Sequence, residues 1–121
     1  MPYDPTNIFS KILQGDLSVE KVYESSYSLA FYDKFPKAPV HILVIPKGAY
    51  VNYHDFCEKA TDPERLDFQD AILKVLDLKN LKESGYRLIT NCGLNGCQEV
   101  PHYHCHILSG RRLGSLLSNT F

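Results

Sequence analysis

His102-Tyr103-His104-Cys105-His106-Ile107-Leu108 is the most informative stretch of this chain of 121 residues. Its histidines alternate with other side chains, a spacing typical of a β-strand, in which successive side chains point to opposite faces. The three histidines would then lie on one face of the strand, and Tyr103, Cys105 and Ile107 would lie on the other. Because histidine is not a strong strand former and loses hydration when it is buried, three on one face indicate a functional site.

A row of imidazoles suits two kinds of chemistry. Neutral imidazole nitrogens bind zinc, and a catalytic zinc site commonly takes three protein ligands. An imidazole can also attack phosphorus and form a covalent intermediate. Same-face neighbours on one strand lie about 6.6 Å apart, so three of them converge poorly on one ion, whereas a nucleophile with flanking helpers needs no convergence. The histidine pattern by itself leaves both interpretations open.

Residues 91–98, just before the histidines, predict a loop that carries Gly93 and Gly96. Glycine permits backbone conformations that direct several N–H groups at one anion. Beside a candidate nucleophile, such a loop places hydrogen-bond donors where phosphorus chemistry needs them. His41 is a further candidate, because it interrupts the apolar run of residues 40–45. Without the other histidines, a hydrogen-bonded core residue would be the simpler interpretation of His41.

The remaining chain predicts an α+β domain. Residues 7–14 have apolar side chains at helical spacing before Gly15, so they predict a short helix. Residues 61–64 form a capping box with proline in the first turn, and they begin a helix of about 20 residues that Gly85 would end. Strands are predicted at 21–24, 29–33, 40–45, 86–90 and 100–108. The expected fold is a five-stranded, mainly antiparallel sheet with one long and one short helix, in a single domain over residues 1–121.

Composition argues against several partners. With 22% charged residues of mixed sign and a formal net charge of -1, the chain offers no basic face for nucleic acid. No apolar run approaches the roughly 20 residues that cross a bilayer, and the first residues lack a signal-peptide pattern. We therefore expect a cytoplasmic protein with reduced cysteines and no nucleic-acid or membrane partner. Because two helices leave part of the sheet uncovered, we also expect a homodimer.

The histidine stretch resembles the signature of the histidine-triad (HIT) family, in which three histidines alternate with apolar residues. The similarity continues in four further segments: residues 7–9, 30–33, 38–47 and 91–100. The exit Ser109-Gly110-Arg111 is most similar to the Hint branch, whose members hydrolyse purine nucleoside 5′-phosphoramidates. The resemblance implies a HIT-like fold, a purine nucleotide substrate, and neither a metal nor another cofactor.

The resemblance also implies a role for each candidate histidine. His104 would attack the α-phosphorus and carry the nucleotidyl group until water removes it. The carbonyl of His102 would set the tautomer of His104. His106 would hydrogen-bond a phosphate oxygen, and His41 would join a proton relay toward the leaving group. With pKa values near the ordinary 6.5, these imidazoles are expected to exchange protons close to neutral pH.

A second implied group holds the nucleotide. The resemblance places Asn91 and the backbone around Glu99 and Val100 near the phosphate, and it makes Asp33 the acceptor for the ribose hydroxyls. An apolar slot for the base would consist of Ile8, Phe9, Phe31 and Leu43, in keeping with pockets that are mainly apolar. These apolar residues would equally suit a core, and Asp33 would suit the turn that follows it.

The chain departs from the family pattern at several positions. Cys97 stands where a second glycine is common, and Glu99 stands where serine or threonine is common. A carboxylate at position 99 would repel phosphate unless it points away or meets a cationic leaving group. Some members hold a structural zinc ion, but Asn7, Ser10 and Ala49 occupy the positions of its ligands, so we expect no zinc there.

Three other functions stay open on sequence grounds. A dinucleoside polyphosphate hydrolase, as in the Fhit branch, would share the α-phosphate chemistry and differ in its leaving group. A metal-dependent hydrolase would use the histidines as ligands, and a non-catalytic module would bind the nucleotide without turnover. The tail at residues 112–121 is expected to help select the substrate.

Overall fold

The structure is a computed structural model that describes residues 2–117. The predicted role of the tail falls partly on residues 118–121, which lie outside the described residues. The elements, in chain order, are α1 (Ile8–Leu13), β1 (Lys21–Glu24), β2 (Ser28–Tyr32), β3 (Val40–Pro46), α2 (Tyr53–Lys59), α3 (Asp62–Leu78), α4 (Leu81–Ser84), β4 (Arg87–Ile89) and β5 (Cys105–Ser109). Of the helices in this described part, none is long and apolar enough to cross a lipid bilayer.

The five strands form one sheet in the order β1-β2-β3-β5-β4, and every neighbouring pair is antiparallel. Strand β3 lies at the centre, where Leu43 is opposite His106 and His41 is opposite Leu108 on β5. The predicted α+β class with a five-stranded antiparallel sheet is confirmed. This pairing brings the two histidine-bearing strands side by side.

Alternation along β3 gives the sheet two apolar faces. Ile42 and Val44 pack with helices α2, α3 and α4, in a cluster that includes Phe68 and Val75 of α3. Leu43 and the residues on its side of the sheet pack against α1, in a smaller cluster around Phe9. The long helix α3 begins with the predicted capping box, in which the Thr61 side chain accepts from the backbone N–H of Glu64 and Glu64 bonds back. The active-site candidates lie on the α1 side.

The helices differ from the prediction in number and length. Helix α3 ends at Leu78 rather than near Gly85, because Asn80 has a left-handed φ of 56° that interrupts the helix before the short α4. Helix α2 was not predicted. Only Phe56 of its seven residues is buried, so its sequence carries no apolar period. The described chain therefore has one long and three short helices, rather than one of each.

Strand β5 begins at Cys105 and not at residue 100, so the predicted strand position of His102 and His104 is wrong. Pro101 lacks a backbone donor, and the N–H of His102 turns back to the carbonyl of Val100 at 2.9 Å. The side chains nevertheless alternate through this turn. Tyr103, Cys105 and Ile107 belong to the helix-covered cluster, whereas the rings of His102 and His104 contact Phe9 on the opposite side.

Candidate active site

A cavity of about 270 Å³ lies where β3, β5 and the loop of residues 91–100 meet. Its wall contains nine of the twelve residues that the sequence analysis singled out. The lining residues are Phe9, Asp33, Lys37, His41, Leu43, Asn91, Cys97, Glu99, Val100, His104 and His106.

The other three candidates lie outside this wall. Ile8 projects from α1 with about half of its surface exposed, at 49%. Phe31 is buried behind Phe9, with the two ring centroids 5.7 Å apart in an edge-on arrangement. His102 is fully buried beneath the site. The apolar part of the cavity wall therefore comes from Phe9, Leu43 and Val100.

His104 is held in one tautomer by the backbone. Its Nδ1 lies 2.7 Å from the carbonyl oxygen of His102, and since a carbonyl can only accept, the proton is on Nδ1. The Nε2 atom of His104 consequently keeps its lone pair. The Thr90 hydroxyl donates to the His104 carbonyl at 2.8 Å, and the Phe9 ring packs edge-on against the imidazole at 5.0 Å. The imidazole is thus oriented by the backbone on one side and by an aromatic ring on another.

A hydrogen-bonded chain connects Asp33, His41 and His106. The backbone N–H of Lys37 donates to Nδ1 of His41 at 3.0 Å, so His41 carries its proton on Nε2. That Nε2–H donates to Nδ1 of His106 at 2.9 Å, with Oδ2 of Asp33 3.4 Å away. Because Nδ1 of His106 accepts, neutral His106 carries its own proton on Nε2. This geometry makes His106 a donor, in contrast to the acceptor Nε2 of His104.

His102 supports the site from below. Its Nε2–H donates to the carbonyl of Pro46 at 2.8 Å, and its Nδ1 accepts from the hydroxyl of Tyr3 at 2.5 Å. Both ring nitrogens are therefore used inside the protein, and the carbonyl of His102 remains for the bond to His104. His102 acts by positioning its neighbour rather than by facing the cavity.

Burial lowers the pKa of all four imidazoles. It lowers the pKa of His102 to about 4. Burial, with charge on the neighbouring His104 and His41 as the next cause, lowers the pKa of His106 to about 4. The pKa values of His104 and His41 are also lowered by burial, against the opposing carboxylate of Asp33. The expectation of pKa values near 6.5 is therefore wrong for these histidines.

These shifts favour neutral imidazoles at pH 7. A neutral His104 has the lone pair that a nucleophile needs. An anionic phosphate in the cavity would raise the pKa values of the imidazoles around it, because it favours their charged form. The same ligand would thereby prepare His106 and His41 to release a proton to a leaving group.

The loop before the histidines is tightly folded. The side-chain N–H of Asn91 donates to the carbonyl of Gly96 at 2.7 Å, so this amide is used within the loop. A Cβ atom at Gly96 would lie 2.5 Å from the carbonyl oxygen of Cys92, which makes glycine necessary there. Cys97 has a φ of 57°, a left-handed conformation that glycine adopts without strain. The loop is thus held by its own hydrogen bonds, one of which comes from the Asn91 side chain.

Two residues of the site were not predicted. Lys37 lines the cavity and sets the tautomer of His41 through its backbone N–H. It lies in a proline-containing loop without periodicity, so no pattern marked it. Tyr3 reaches His102 from the other end of the chain, 99 residues away in sequence. Its role depends on tertiary contact and left no local signal.

A metal ion could be held by Asp33, His41 and His106. Each offers one ligand atom, and these atoms lie within 4.8 Å of one another. An ion at this place would displace the proton that His41 now donates to His106. The set includes only one histidine of the 102–106 stretch, so the row of three imidazoles does not converge on one point.

Comparison with known proteins agrees with this geometry. Residues 14–113 match the HIT domain family. The chain is 47% identical over 116 residues to a 13.2 kDa HIT-like protein of Azospirillum brasilense, covering 96% of this chain and 95% of the relative. It is 37% identical over 113 residues to the purine nucleoside phosphoramidase of Escherichia coli K12, covering 93% of each. The solved structure of a HIT family hydrolase from Clostridium thermocellum superposes with a TM-score of 0.81 at 35% identity, over 93% of this chain and 97% of that one. With its predicted signature, its fold and these relatives in agreement, the chain belongs to the HIT domain family.

Proposed function

We propose that the protein hydrolyses purine nucleoside 5′-phosphoramidates at the α-phosphate through a nucleotidyl-histidine intermediate. The observation that carries this proposal is the tautomer of His104, whose Nδ1–H bonds to the His102 carbonyl and leaves the Nε2 lone pair for attack. The Escherichia coli relative, a purine nucleoside phosphoramidase, supports the choice of substrate.

The nucleotide is proposed to bind across the cavity. The base packs against Phe9, Leu43 and Val100, which form its apolar wall. The ribose hydroxyls donate to Asp33, whose Oδ1 already accepts the backbone N–H of Phe35 at 2.8 Å and is thereby oriented. The phosphate lies beside the loop of residues 91–100, where the backbone N–H groups of Glu99 and Val100 stabilise its charge. The N–H of Cys97 already donates to the carbonyl of Leu94 within the loop.

The proposed reaction has two displacements. Nε2 of His104 attacks phosphorus, the new P–N bond forms, and the bond from phosphorus to the substrate amine breaks. The amine leaves with a proton from the His41 and His106 pair, which takes up that proton from water when the anionic phosphate binds. Water then attacks phosphorus and returns a proton to the same pair, while the bond to His104 breaks and releases the nucleoside monophosphate. His106 donates to a phosphate oxygen in both steps.

The decisive experiment is to trap and locate the intermediate. A slowly reacting adenosine phosphoramidate should leave an adenylyl group on His104, identified by mass spectrometry of the acid-labile adduct. His104→Ala should lower turnover at least about 10⁴-fold, in the range seen for removal of a catalytic nucleophile, with AMP binding retained. Adenylylation of another residue, or equal turnover by both proteins, would contradict the mechanism.

Chelation separates this proposal from metal-dependent hydrolysis. The proposed steps use only side chains and water, so turnover should persist after dialysis against EDTA. If activity disappears and returns with added zinc, the Asp33, His41 and His106 set is acting as a metal site instead.

We also propose that the protein is a homodimer that pairs through the edge strand β4. This strand bonds to β5 on one side, and Leu88 at its centre is 45% exposed. Sedimentation equilibrium should give twice the chain mass of 13.8 kDa. Leu88→Lys should shift the protein toward the monomer, whereas Leu17→Lys, on a surface distant in the fold, should not. A wild-type monomer at micromolar concentration would refute the dimer.

A further inference from the structure

A second, larger cavity borders the candidate active site. It has a volume of about 640 Å³ and lies between the start of α2 and the loop of residues 91–101. Its lining includes His54, Asp55, Glu58, Lys59, Leu94 and Glu99. Glu99 is the residue whose position joins the two cavities, since it lines both.

The wall of this groove is built by specific hydrogen bonds. Gln98 donates to the carbonyl of Val51 at 2.7 Å and accepts from the N–H of Gly93 at 3.0 Å, so it ties the loop to the segment before α2. The N–H of Val51 in turn donates to Asp55 at 2.9 Å. The bond from Gln98 to Val51 connects the two sides of the groove, and the other two bonds fix each side within itself.

The groove has an excess of negative charge. Three carboxylates line it, and the single lysine among the lining residues, Lys59, is paired with Asp55 at 2.9 Å. Among the described residues, Glu58 forms one ion pair, with Nδ1 of His54 at 3.7 Å. Within residues 2–117, the Glu99 carboxylate has neither an ion pair nor a hydrogen bond. Leu94, at 94% exposure, adds an apolar surface beside these charges.

Glu99 is close enough to the reaction centre to affect it. Its carboxylate acts to raise the pKa of His104, against the larger effect of burial. A negative charge on the wall of the active-site cavity disfavours a second anion beside the phosphate, and it favours a cation there. A polyphosphate leaving group would therefore be repelled where an ammonium group would be attracted.

We infer that Glu99 and the adjoining groove form a leaving-group subsite, which selects phosphoramidates whose amine carries an alkyl chain ending in a second ammonium group. This inference rests on the proposed function. The alkyl chain lies along Leu94, and its terminal charge lies between Glu99 and Glu58. The phosphate stays in the smaller cavity beside His104. Glu99 is thus a specificity-determining residue that disfavours dinucleoside polyphosphates.

The test uses a matched pair of non-hydrolysable ligands. Adenosine 5′-carbamates bearing a 4-aminobutyl or a pentyl group have side chains of equal length and differ in charge. Calorimetry should give about fivefold tighter binding of the aminobutyl compound to the wild-type protein, the upper range for a partly exposed ion pair. The preference should vanish in Glu99→Gln and persist in Glu83→Gln, a carboxylate on α4 that lines neither cavity. It should also weaken in 1 M salt.

Turnover provides the second readout. In Glu99→Gln, the ratio of kcat/KM for the aminobutyl phosphoramidate to kcat/KM for the pentyl phosphoramidate should fall about fivefold. The ratio of kcat/KM for a diadenosine polyphosphate to that for the pentyl phosphoramidate should rise. Equal binding of the two carbamates by the wild type, or an unchanged preference in Glu99→Gln, would overturn the subsite. Absence of turnover of every phosphoramidate would instead refute the proposed function, while the carbamate affinities would still decide the subsite.

Discussion

Acidification from pH 7 to pH 5 is expected to lower the free energy of unfolding by about 2 kcal/mol through His102 alone. His102 is fully buried, and burial lowers its pKa to about 4 in the folded protein. In the unfolded chain the pKa returns to about 6.5. Between these values the unfolded state binds more protons than the folded state, so stability falls as the pH falls through this window. Below pH 4 the contribution of His102 to the free energy of unfolding is fully lost, a decrease of about 3 kcal/mol.

His102→Gln isolates this contribution. The glutamine amide can still donate to the carbonyl of Pro46, the acceptor of the His102 Nε2–H, but it does not titrate. Urea unfolding of both proteins at pH 7 and pH 5 can be followed by far-ultraviolet circular dichroism. The wild type should lose about 2 kcal/mol more than the variant between the two pH values. The other buried histidines titrate in both proteins and cancel in the comparison.

Equal losses in the two proteins would refute the reasoning. A chemical-shift titration of the wild-type imidazoles provides an independent readout that does not depend on how the variant folds. A midpoint above pH 6 for His102 would show that burial does not keep the ring neutral against the hydrogen bond to Pro46, and the predicted loss of stability would then be wrong.

Three further predictions concern packing and reactivity. Burial raises the pKa of the Cys105 thiol to about 11, so iodoacetamide at pH 8 should spare Cys105 in the native protein and modify it after unfolding. Peptide mass spectrometry should show that the exposed thiols react first, namely Cys57, Cys92 and Cys97. Phe68→Ala should lower the free energy of unfolding in urea by about 3–5 kcal/mol, because Phe68 is buried between Phe56 and Tyr103, whose ring centroids lie 5.2 and 5.0 Å from its own. A loss below about 1 kcal/mol would contradict this packing. Asn80→Ala should cost about 1 kcal/mol and Asn80→Gly should not, since residue 80 is left-handed; equal stability of the two variants would argue against that conformation.

Local patterns in the sequence predicted much of the framework. The capping box at Thr61, the apolar run of β3 and the hairpin of β1 and β2 all depend on neighbours a few residues apart. Such patterns are readable because helix and strand periods place those neighbours in contact. Helix α2 lacked an apolar period and was missed for the same reason.

The features of the site likewise include some that depend on neighbours in sequence and some that depend on tertiary contacts. Alternation through His102, His104 and His106 is a local property, and it indicated a functional face even though the strand begins only at Cys105. The proton positions were a different matter. They depend on partners such as the carbonyl of Pro46 and the Nε2–H of His41, which lie far from the histidine stretch in sequence and reach it only when β3 pairs with β5.

From the order of residues alone, one could infer the family resemblance, the antiparallel sheet and His104 as the candidate nucleophile. Folding added the cavity, the chain from Asp33 through His41 to His106, and the neutral state of the imidazoles. The physical reason is that periodicity acts over a few residues along the chain, whereas burial and hydrogen bonding act across space between elements that the sequence separates. Glu99 illustrates the difference, because its sequence position left open whether its carboxylate points away or meets a cationic leaving group, and its place between two cavities favours the cationic group.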